Sequence, residues 1–426
     1  MNKTIGIRRE DKNKWEVRVP IIPDAVKLIK DKWGINSIVQ PYATRAFKDE
    51  EYLKDGAEIN EDLLKADIIF AVKEVPINLL LENKTYLFFS HTIKGQSYNM
   101  PLLKALLNKK CTLIDYECIK DNKGRRLVFF GKYAGLAGMI DALHGLGKRL
   151  DYYGKKSPFL HIKPAYEYLD LEDAELHIKN IAAEIVENGL LYPLVFGFAG
   201  YGNVSKGAQE IFDLLPNEVI TPEDLIKNKN NLENKIYKVI FEEKHMVRPI
   251  NNDYLFDLKD YYKNPNNYES KFEDYLPYIN VLINAIYWDA RYPRLVTKQY
   301  LKENDISNFF IISDISCDID GAIEITHKST KPDEPAYTYN PKNNSFIDGY
   351  SGEGIVNMAV DNLPCELPRD SSVAFSNSLF PFIKEIAHAD YSNDFSDLDL
   401  CNSIKNAIIT HKGELTPQYK YLEKYL

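Results

Sequence analysis

Short apolar runs recur along the first 130 residues, separated by stretches with helical spacing. Ile5–Ile7, Ser37–Gln40, Ile68–Val72, Tyr86–Ser90 and Thr112–Asp115 read as strands, and Asp24–Lys32, Glu61–Lys65 and Met100–Asn108 as helices. Strand and helix in alternation predict βαβ units on a parallel sheet. A long helix follows over Gly131–Leu150, where Ala134, Gly135, Ala137 and Gly138 make a face that another backbone can approach closely. Residues 151–170 are rich in Tyr, Lys and Pro and read as irregular, while Leu171–Asn188 has helical periodicity and meets a natural stop at Gly189.

A second α/β unit opens with the buried-strand run Leu194–Phe198, directly followed by Gly200-Tyr201-Gly202 and a helix over Ser205–Leu215. The next strand reads as Glu218–Thr221. The Asn/Lys/Tyr-rich stretch 227–278 reads as an insertion with a short strand at Tyr237–Phe241. Strand runs resume at Val281–Asn284 and Phe309–Ser313, and the part from Gly352 onward reads as mainly helical. The expected architecture is α/β: two Rossmann-like domains whose parallel sheets flank a cofactor and substrate cleft. Residues 1–145 plus about 362–426 form the substrate and catalytic domain, and 146–361 the dinucleotide-binding domain.

At 426 residues, two cores are the natural expectation. No apolar run is long enough for a membrane helix, and the start of the chain has neither a signal nor a transit pattern, so a cytoplasmic location is expected. The five cysteines lack CxxC spacing, which argues against zinc and fits reduced thiols. A net charge of -9 argues against a nucleic-acid surface but leaves room for a local basic pocket.

The glycine turn carries the first chemistry. Gly200 permits a tight turn, Gly202 lets the backbone reach a pyrophosphate, and the following helix presents N–H groups and the positive end of its dipole. Ser205 stands where a third glycine often sits, with Gly207 just beyond. Thr221, at the end of the expected second strand, offers a hydroxyl where NAD sites carry an acid. That favours NADPH over NADH, although Glu223 and Asp224 lie close by.

Charged residues at strand ends carry the second. Ile68–Val72 runs into Lys73-Glu74, and Tyr86–Ser90 runs into His91, followed by Lys94. Carboxyl ends of strands line the ligand crevice of an open parallel sheet. With Arg18 and Arg125-Arg126 in the same domain, they form a basic group suited to clamping carboxylates. Glu117, beyond Thr112–Asp115, suits a substrate ammonium or offsets the clustered positive charge.

These segments resemble the lysine–ketoglutarate reductase family, which forms saccharopine, and more distantly fungal lysine-forming saccharopine dehydrogenase. The likeness rests on Ile7–Asp11, Trp15–Arg18, Phe88–Lys94, Leu113–Glu117, Phe130–Met139, GYGNVSKGAQ from Gly200, Leu282–Trp288, Asp314–Ser316 and Val360–Pro364. It implies an NAD(P)H-dependent, reversible condensation of L-lysine with 2-oxoglutarate to saccharopine. It further implies acid–base roles for Lys73 and His91, and substrate contacts at Arg18, Glu74, Lys94, Glu117 and Arg126. The candidate cofactor residues are then Gly200, Gly202, Asn203, Val204, Thr221 and Asp314. Bifunctional family members continue into a glutamate-forming dehydrogenase whereas this sequence ends at Leu426, so a separate enzyme is expected to act next. The rival expectations are an alanine-dehydrogenase-like enzyme and a catalytically silent binding protein that keeps the fold.

Overall fold

The computed structural model describes residues 3–228 and 231–426. The chain divides into two compact units, Met1–Phe130 with Pro368–Leu426, and Gly131–Leu367. The first boundary therefore falls ahead of the long helix that starts at Gly131, instead of within it at 145. No helix among the described residues is long and apolar enough to cross a membrane.

The first unit begins with β1 (Thr4–Ile7), α1 (Pro23–Trp33), β2 (Asn36–Val39), α2 (Asp49–Lys54), β3 (Glu58–Ile59), β4 (Ile68–Phe70), β5 (Thr85–Phe88), α3 (Met100–Asn108) and β6 (Thr112–Asp115). In α1, Pro23 pre-sets the first turn, Ala25, Val26 and Ile29 are buried, and Gly34 closes the end at φ 66°. The helix expected over Glu61–Lys65 does not form. There the side chains of Asn60 and Asp62 accept from the N–H groups of Asp62 and Leu64, a local turn that competes with helix.

The second unit runs through α4 (Gly131–Tyr152), α5 (Leu171–Asn188), β7 (Leu194–Ala199), α6 (Asn203–Phe212), β8 (Asn217–Val219), α7 (Pro222–Lys227), β9 (Ile236–Phe241), α8 (Glu243–Met246), β10 (Val247–Pro249), α9 (Leu258–Lys263) and β11 (Tyr268–Ser270). It continues with β12 (Val281–Asn284), α10 (Lys298–Glu303), β13 (Ile311–Asp314), β14 (Ala336–Asn340), β15 (Ser345–Asp348) and β16 (Ile355–Met358). The chain then returns to the first unit as α11 (Pro368–His388), α12 (Asn402–Lys405), β17 (Ile408–His411) and β18 (Glu414–Leu415).

Each unit is built on an eight-stranded sheet, ordered β18-β17-β6-β5-β4-β1-β2-β3 in the first and β15-β14-β16-β13-β12-β7-β9-β8 in the second. Both are mostly parallel but carry antiparallel edges: β17 and β18 in the first, β14 and β15 in the second. The expected parallel sheets are there with antiparallel strands added at one edge of each, and the part from Gly352 onward is mainly helical as expected, with β16, β17 and β18 besides. The reading of 227–278 as an insertion is corrected. β9 pairs β7 on one side and β8 on the other, so it is an interior strand of the second sheet.

β7 shows why such strands read as continuous apolar runs. Leu194, Phe196 and Phe198 join the core on one face, while Val195 and Ala199 join the core on the other. On the first face α4 and α6 touch backbone to backbone. A Cβ on Gly135 would lie 1.9 Å from the Val204 carbonyl oxygen, and one on Gly207 2.2 Å from that of Lys132. The small face of α4 thus seats α6, and Gly207 supplies the close packing that Ser205, two residues earlier, does not.

Candidate active site

In the first unit, β4 and β5 are parallel neighbours. Their ladder continues past the strand ends, with Phe89 N–H donating to the Val72 carbonyl at 3.0 Å. Lys73 and His91 therefore leave the same edge of the sheet from adjacent strands. Two carboxylates that sequence reasoning passed over hold this edge. Glu10, just beyond β1, accepts from the N–H groups of Val72 at 2.7 Å and Lys73 at 2.9 Å. Burial, reinforced by Glu16, pushes its carboxyl up to about 7. Glu16 pairs with Arg18, whose Nε donates at 2.7 Å, and both side chains are buried. The Arg18 guanidinium lies 4.1 Å from the centre of the Phe130 ring, which itself stacks on Phe375 at 4.4 Å. In the sequence Glu10 and Glu16 were marked only by the charge just after the first strand and by lying in two of the stretches that carry the family resemblance.

Burial lowers the pKa of Lys73, and the charges of Arg18 and Lys12 lower it further against Glu16 and Glu74. A lysine so placed can exchange protons nearer neutrality. His91 adopts φ 52°, a conformation uncommon for a side-chain-bearing residue. Its carbonyl accepts from Asn99 Nδ2 at 2.9 Å, and its Nδ1 lies 2.6 Å from Glu74 Oε1. Burial works against the Glu74 carboxylate, yet the His91 hydrogen bond and the Lys12 charge bring it down to about 2. An ionised Glu74 fixes the tautomer with the proton on Nδ1, so Nε2 is the nitrogen that exchanges protons with a ligand.

Glu117 and Arg126 form an ion pair of their own. Asp115, buried at the end of β6, links that pair to the His91 turn: it accepts from Ser90 N–H at 3.0 Å and Glu117 N–H at 2.8 Å. Lys94 sits exposed on the turn after His91, and no ion pair involves it among the described residues. Arg125 pairs with Asp121. The structure thus gathers Arg18, Lys73, Glu74 and His91 with Glu10 and Glu16, ties in Glu117 and Arg126 through Asp115, and leaves Lys94 apart.

In the second unit Gly200 adopts φ 95°, and its N–H donates to the Phe241 carbonyl at 3.0 Å. Gly202 is the N-cap of α6 and provides no side-chain cap, so the first N–H groups of the helix, from Asn203 onward, are available to an anion. A Cβ on Gly202 would meet nothing within 4 Å. A cavity of about 470 Å³ lies beside the turn, lined by Gly200, Tyr201, Gly202, Glu243, Ala285 and Ile286 among others. An uncapped helix start, open space over Gly202 and an adjoining cavity fit a nicotinamide dinucleotide, and Gly200, Gly202, Asn203 and Val204 are the residues that could hold it.

Two expected cofactor residues lie elsewhere. Thr221 follows β8, the edge strand, which is separated from β7 by β9; its hydroxyl caps α7 by accepting from Asp224 N–H at 3.0 Å. The case for NADPH rested on Thr221 and falls with it. Asp314 is 2% exposed, and its carboxylate accepts from Asn284 Nδ2 at 2.8 Å and Thr326 Oγ1 at 2.6 Å. It braces the ends of β12 and β13 instead of facing a ligand.

Two family models match this chain: the alanine dehydrogenase/PNT N-terminal domain over residues 6–137 and the C-terminal domain over residues 229–418. The chain belongs to the alanine dehydrogenase/PNT family. It is 39% identical to alpha-aminoadipic semialdehyde synthase of Arabidopsis thaliana over 99% of this chain and 41% of that protein. The mitochondrial alpha-aminoadipic semialdehyde synthase of Mus musculus is 38% identical over 99% of this chain and 47% of its own length. The chain thus spans less than half the length of these relatives. The saccharopine dehydrogenase [NAD(+), L-lysine-forming] of Schizosaccharomyces pombe is 23% identical over 88% of this chain and 91% of that protein. Among solved structures, an L-alanine dehydrogenase matches with a TM-score of 0.59 and 16% identity, covering 99% of this chain and 98% of the other. A transhydrogenase from Sinorhizobium meliloti matches at 0.57 and 14%, covering 97% and 99%. These likenesses establish the two-domain, mostly parallel α/β fold of the family.

Within that fold, the first unit offers a half-buried lysine, an oriented histidine and a guanidinium on an aromatic floor. The set is equipped to hold a carboxylate and to move protons beside it.

Proposed function

We propose that this chain catalyses the reversible condensation of L-lysine with 2-oxoglutarate to saccharopine, using a nicotinamide dinucleotide. The observation that carries this reading is the pairing of Lys73, its pKa lowered, with a Glu74-oriented His91 on adjacent strand ends. The choice of substrates is supported by the names of the relatives and by cationic groups suited to a diacid.

The ε-amine of lysine adds to the keto carbon of 2-oxoglutarate to give a carbinolamine. His91 Nε2 accepts the proton that the nitrogen loses and returns it to the former carbonyl oxygen, giving the hydroxyl. The Lys73 ammonium donates a proton to the departing hydroxyl, which leaves as water, and a protonated imine remains. A bound reduced nicotinamide supplies the hydride that converts the imine carbon to the secondary amine. In this reading Arg18 and Arg126 take substrate carboxylates and Glu117 takes an ammonium. The same groups run the steps backward when saccharopine is oxidised.

The fold likeness to alanine dehydrogenase favours a second reading, reductive amination of pyruvate by ammonia. Oxidation of reduced dinucleotide with 2-oxoglutarate plus lysine, compared with pyruvate plus ammonium, separates the two. Turnover with the first pair is expected, and turnover with the second pair alone would sink the saccharopine reading.

A further inference from the structure

We propose that Tyr421 and Tyr425, from the C-terminal segment, are positioning residues that fix the turn carrying His91. The inference rests on His91 serving as an acid–base group and goes beyond that reading by assigning what keeps the group in place.

His91 at φ 52° and Gly95 at φ 65° put two left-handed residues in one short turn. That backbone is costly for a histidine and persists only where the surroundings impose it. The near side of the turn is well held: Ser90 N–H donates to Asp115, and the His91 carbonyl accepts from Asn99. The far side, residues 93–95, closes on the turn itself, with Gly95 N–H donating to the Thr92 carbonyl at 3.0 Å. That bond shapes the turn but does not anchor it to the rest of the fold.

The anchor comes from the 3₁₀ helix Pro417–Tyr425. Pro417 pre-sets its first turn, and with about three residues per turn Tyr419, Leu422 and Tyr425 fall on one row. Tyr419 and Leu422 are buried in the core of the first unit, and the Tyr419 hydroxyl donates to the Asn406 carbonyl at 2.8 Å. The last member of the row reaches the His91 turn. A Cβ on Gly95 would lie 2.5 Å from the Tyr425 ring, closer than a side chain can sit. Glycine at 95 thus meets two demands, the left-handed backbone and the ring laid against it. Tyr421, off that row, donates its hydroxyl to the Ile93 carbonyl at 2.7 Å. Among the described residues, this is the hydrogen bond that ties residues 93–95 to a segment outside the turn.

Tyr421 and Tyr425 remain 47% and 42% exposed, so filling the core is not their main service. Their contacts go to the backbone of the turn. Glu74 orients the His91 ring, and the two tyrosines fix the backbone from which that ring projects. Proton transfer needs its partners within hydrogen-bond reach, and a misplacement of about 1 Å can cost on the order of 10²-fold in rate. A C-terminal segment rooted in the core therefore controls how well a base more than half the chain away is aimed.

The test is steady-state turnover of the full chain with lysine, 2-oxoglutarate and reduced dinucleotide, together with hydrogen exchange over residues 89–99. Each preparation is scaled by its dinucleotide-binding capacity, which counts folded protein through the second unit. Tyr421→Phe, which removes one hydroxyl, is expected to lower kcat about fivefold with KM little changed. Tyr425→Ala is expected to lower it by at least as much, whereas Tyr425→Phe, which keeps the ring on Gly95, is expected to match the wild type. In a His91→Ala background neither Tyr421→Phe nor Tyr425→Ala is expected to lower kcat further, because both act through His91. Exchange over residues 89–99 is expected to quicken in Tyr421→Phe and Tyr425→Ala. Wild-type kcat in both of these variants overturns the proposal, as does a further loss of the same size in the His91→Ala background. If Tyr425→Ala does not fold, Tyr421→Phe, a one-hydroxyl change on a half-exposed ring, decides it. A wild type that does not turn over this substrate pair removes the saccharopine reading instead. Exchange then decides the positioning, and unchanged exchange in Tyr421→Phe and Tyr425→Ala overturns it.

Discussion

The carboxyl ends of the two sheets are equipped in opposite ways. In the first unit the candidate groups are side chains: Lys73 and His91, each positioned by a carboxylate from elsewhere in the chain, and Arg18, held by Glu16 two residues before it. In the second unit they are bare backbone at Gly200 and Gly202, and the carboxylate at the end of β13, Asp314, is consumed by its neighbours. Side chains with perturbed proton affinity suit bond-making. An exposed helix start suits an anion that must be bound without being altered. Similar sheets therefore need not carry similar sites.

The sharpest way to break that comparison is to remove the side chains. Lys73→Ala and His91→Ala are each expected to cut turnover by roughly 10²–10⁴-fold while leaving dinucleotide affinity unchanged. Stopped-flow turnover and fluorescence titration on the same preparations check both halves. A parallel fall in cofactor affinity would show that the two functions are not divided.

Next in size is the packing beneath the glycine turn. Gly135→Ala drives a methyl into the Val204 carbonyl, and a loss of stability of about 3 kcal/mol is expected in urea unfolding. Gly202→Ala separates binding from folding. Its added methyl meets no protein atom, so stability should hold while dinucleotide affinity falls about tenfold, close to 1.4 kcal/mol. Unchanged affinity in that variant would move the pyrophosphate away from this turn.

The smallest effect concerns buried carboxyls with contrasting employment. Glu10 in the first unit holds the Lys73 backbone. Asp141 and Glu366 in the second lie together; burial raises Asp141 to about 6 and raises Glu366 well above its ordinary range, with Asp141's charge adding to it. A carboxyl whose folded value is raised contributes stability that is fully present below its unfolded pKa. That contribution is lost as pH rises through the folded value. Glu366→Gln should therefore flatten the fall in stability that sets in as pH rises above the ordinary carboxylate range, leaving the variant on the order of 1 kcal/mol more stable at neutral pH. Urea midpoints across that range check it; identical pH profiles would show that the pair does not titrate there.

Much of the local structure was legible before any coordinates. α3, α5, β6 and β12 lie where periodicity places them, because each has an apolar stripe or run bounded by clear stops. β9 was visible as a strand but not as an interior one, since its Asn/Lys/Tyr-rich surroundings resemble an insertion. Its Lys238 is buried and reaches Asp213 at 2.8 Å, so even a charged residue did not mark an edge. Lys73 and His91 stood out because each follows an apolar run directly. Glu10 did not, because its function depends on β1 lying beside β4.

The sequence by itself determined the α/β class, the glycine turn and the strand-end lysine and histidine, all of which follow from short-range patterns of residue type. Tertiary structure alone decided which strand neighbours β7, and hence that Glu243 and not Thr221 stands beside the turn. It also decided which carboxylates serve the site and which are spent bracing the fold. Strand order is set by how whole βαβ units pack and cross over, a long-range matter on which a local run of residues carries no mark.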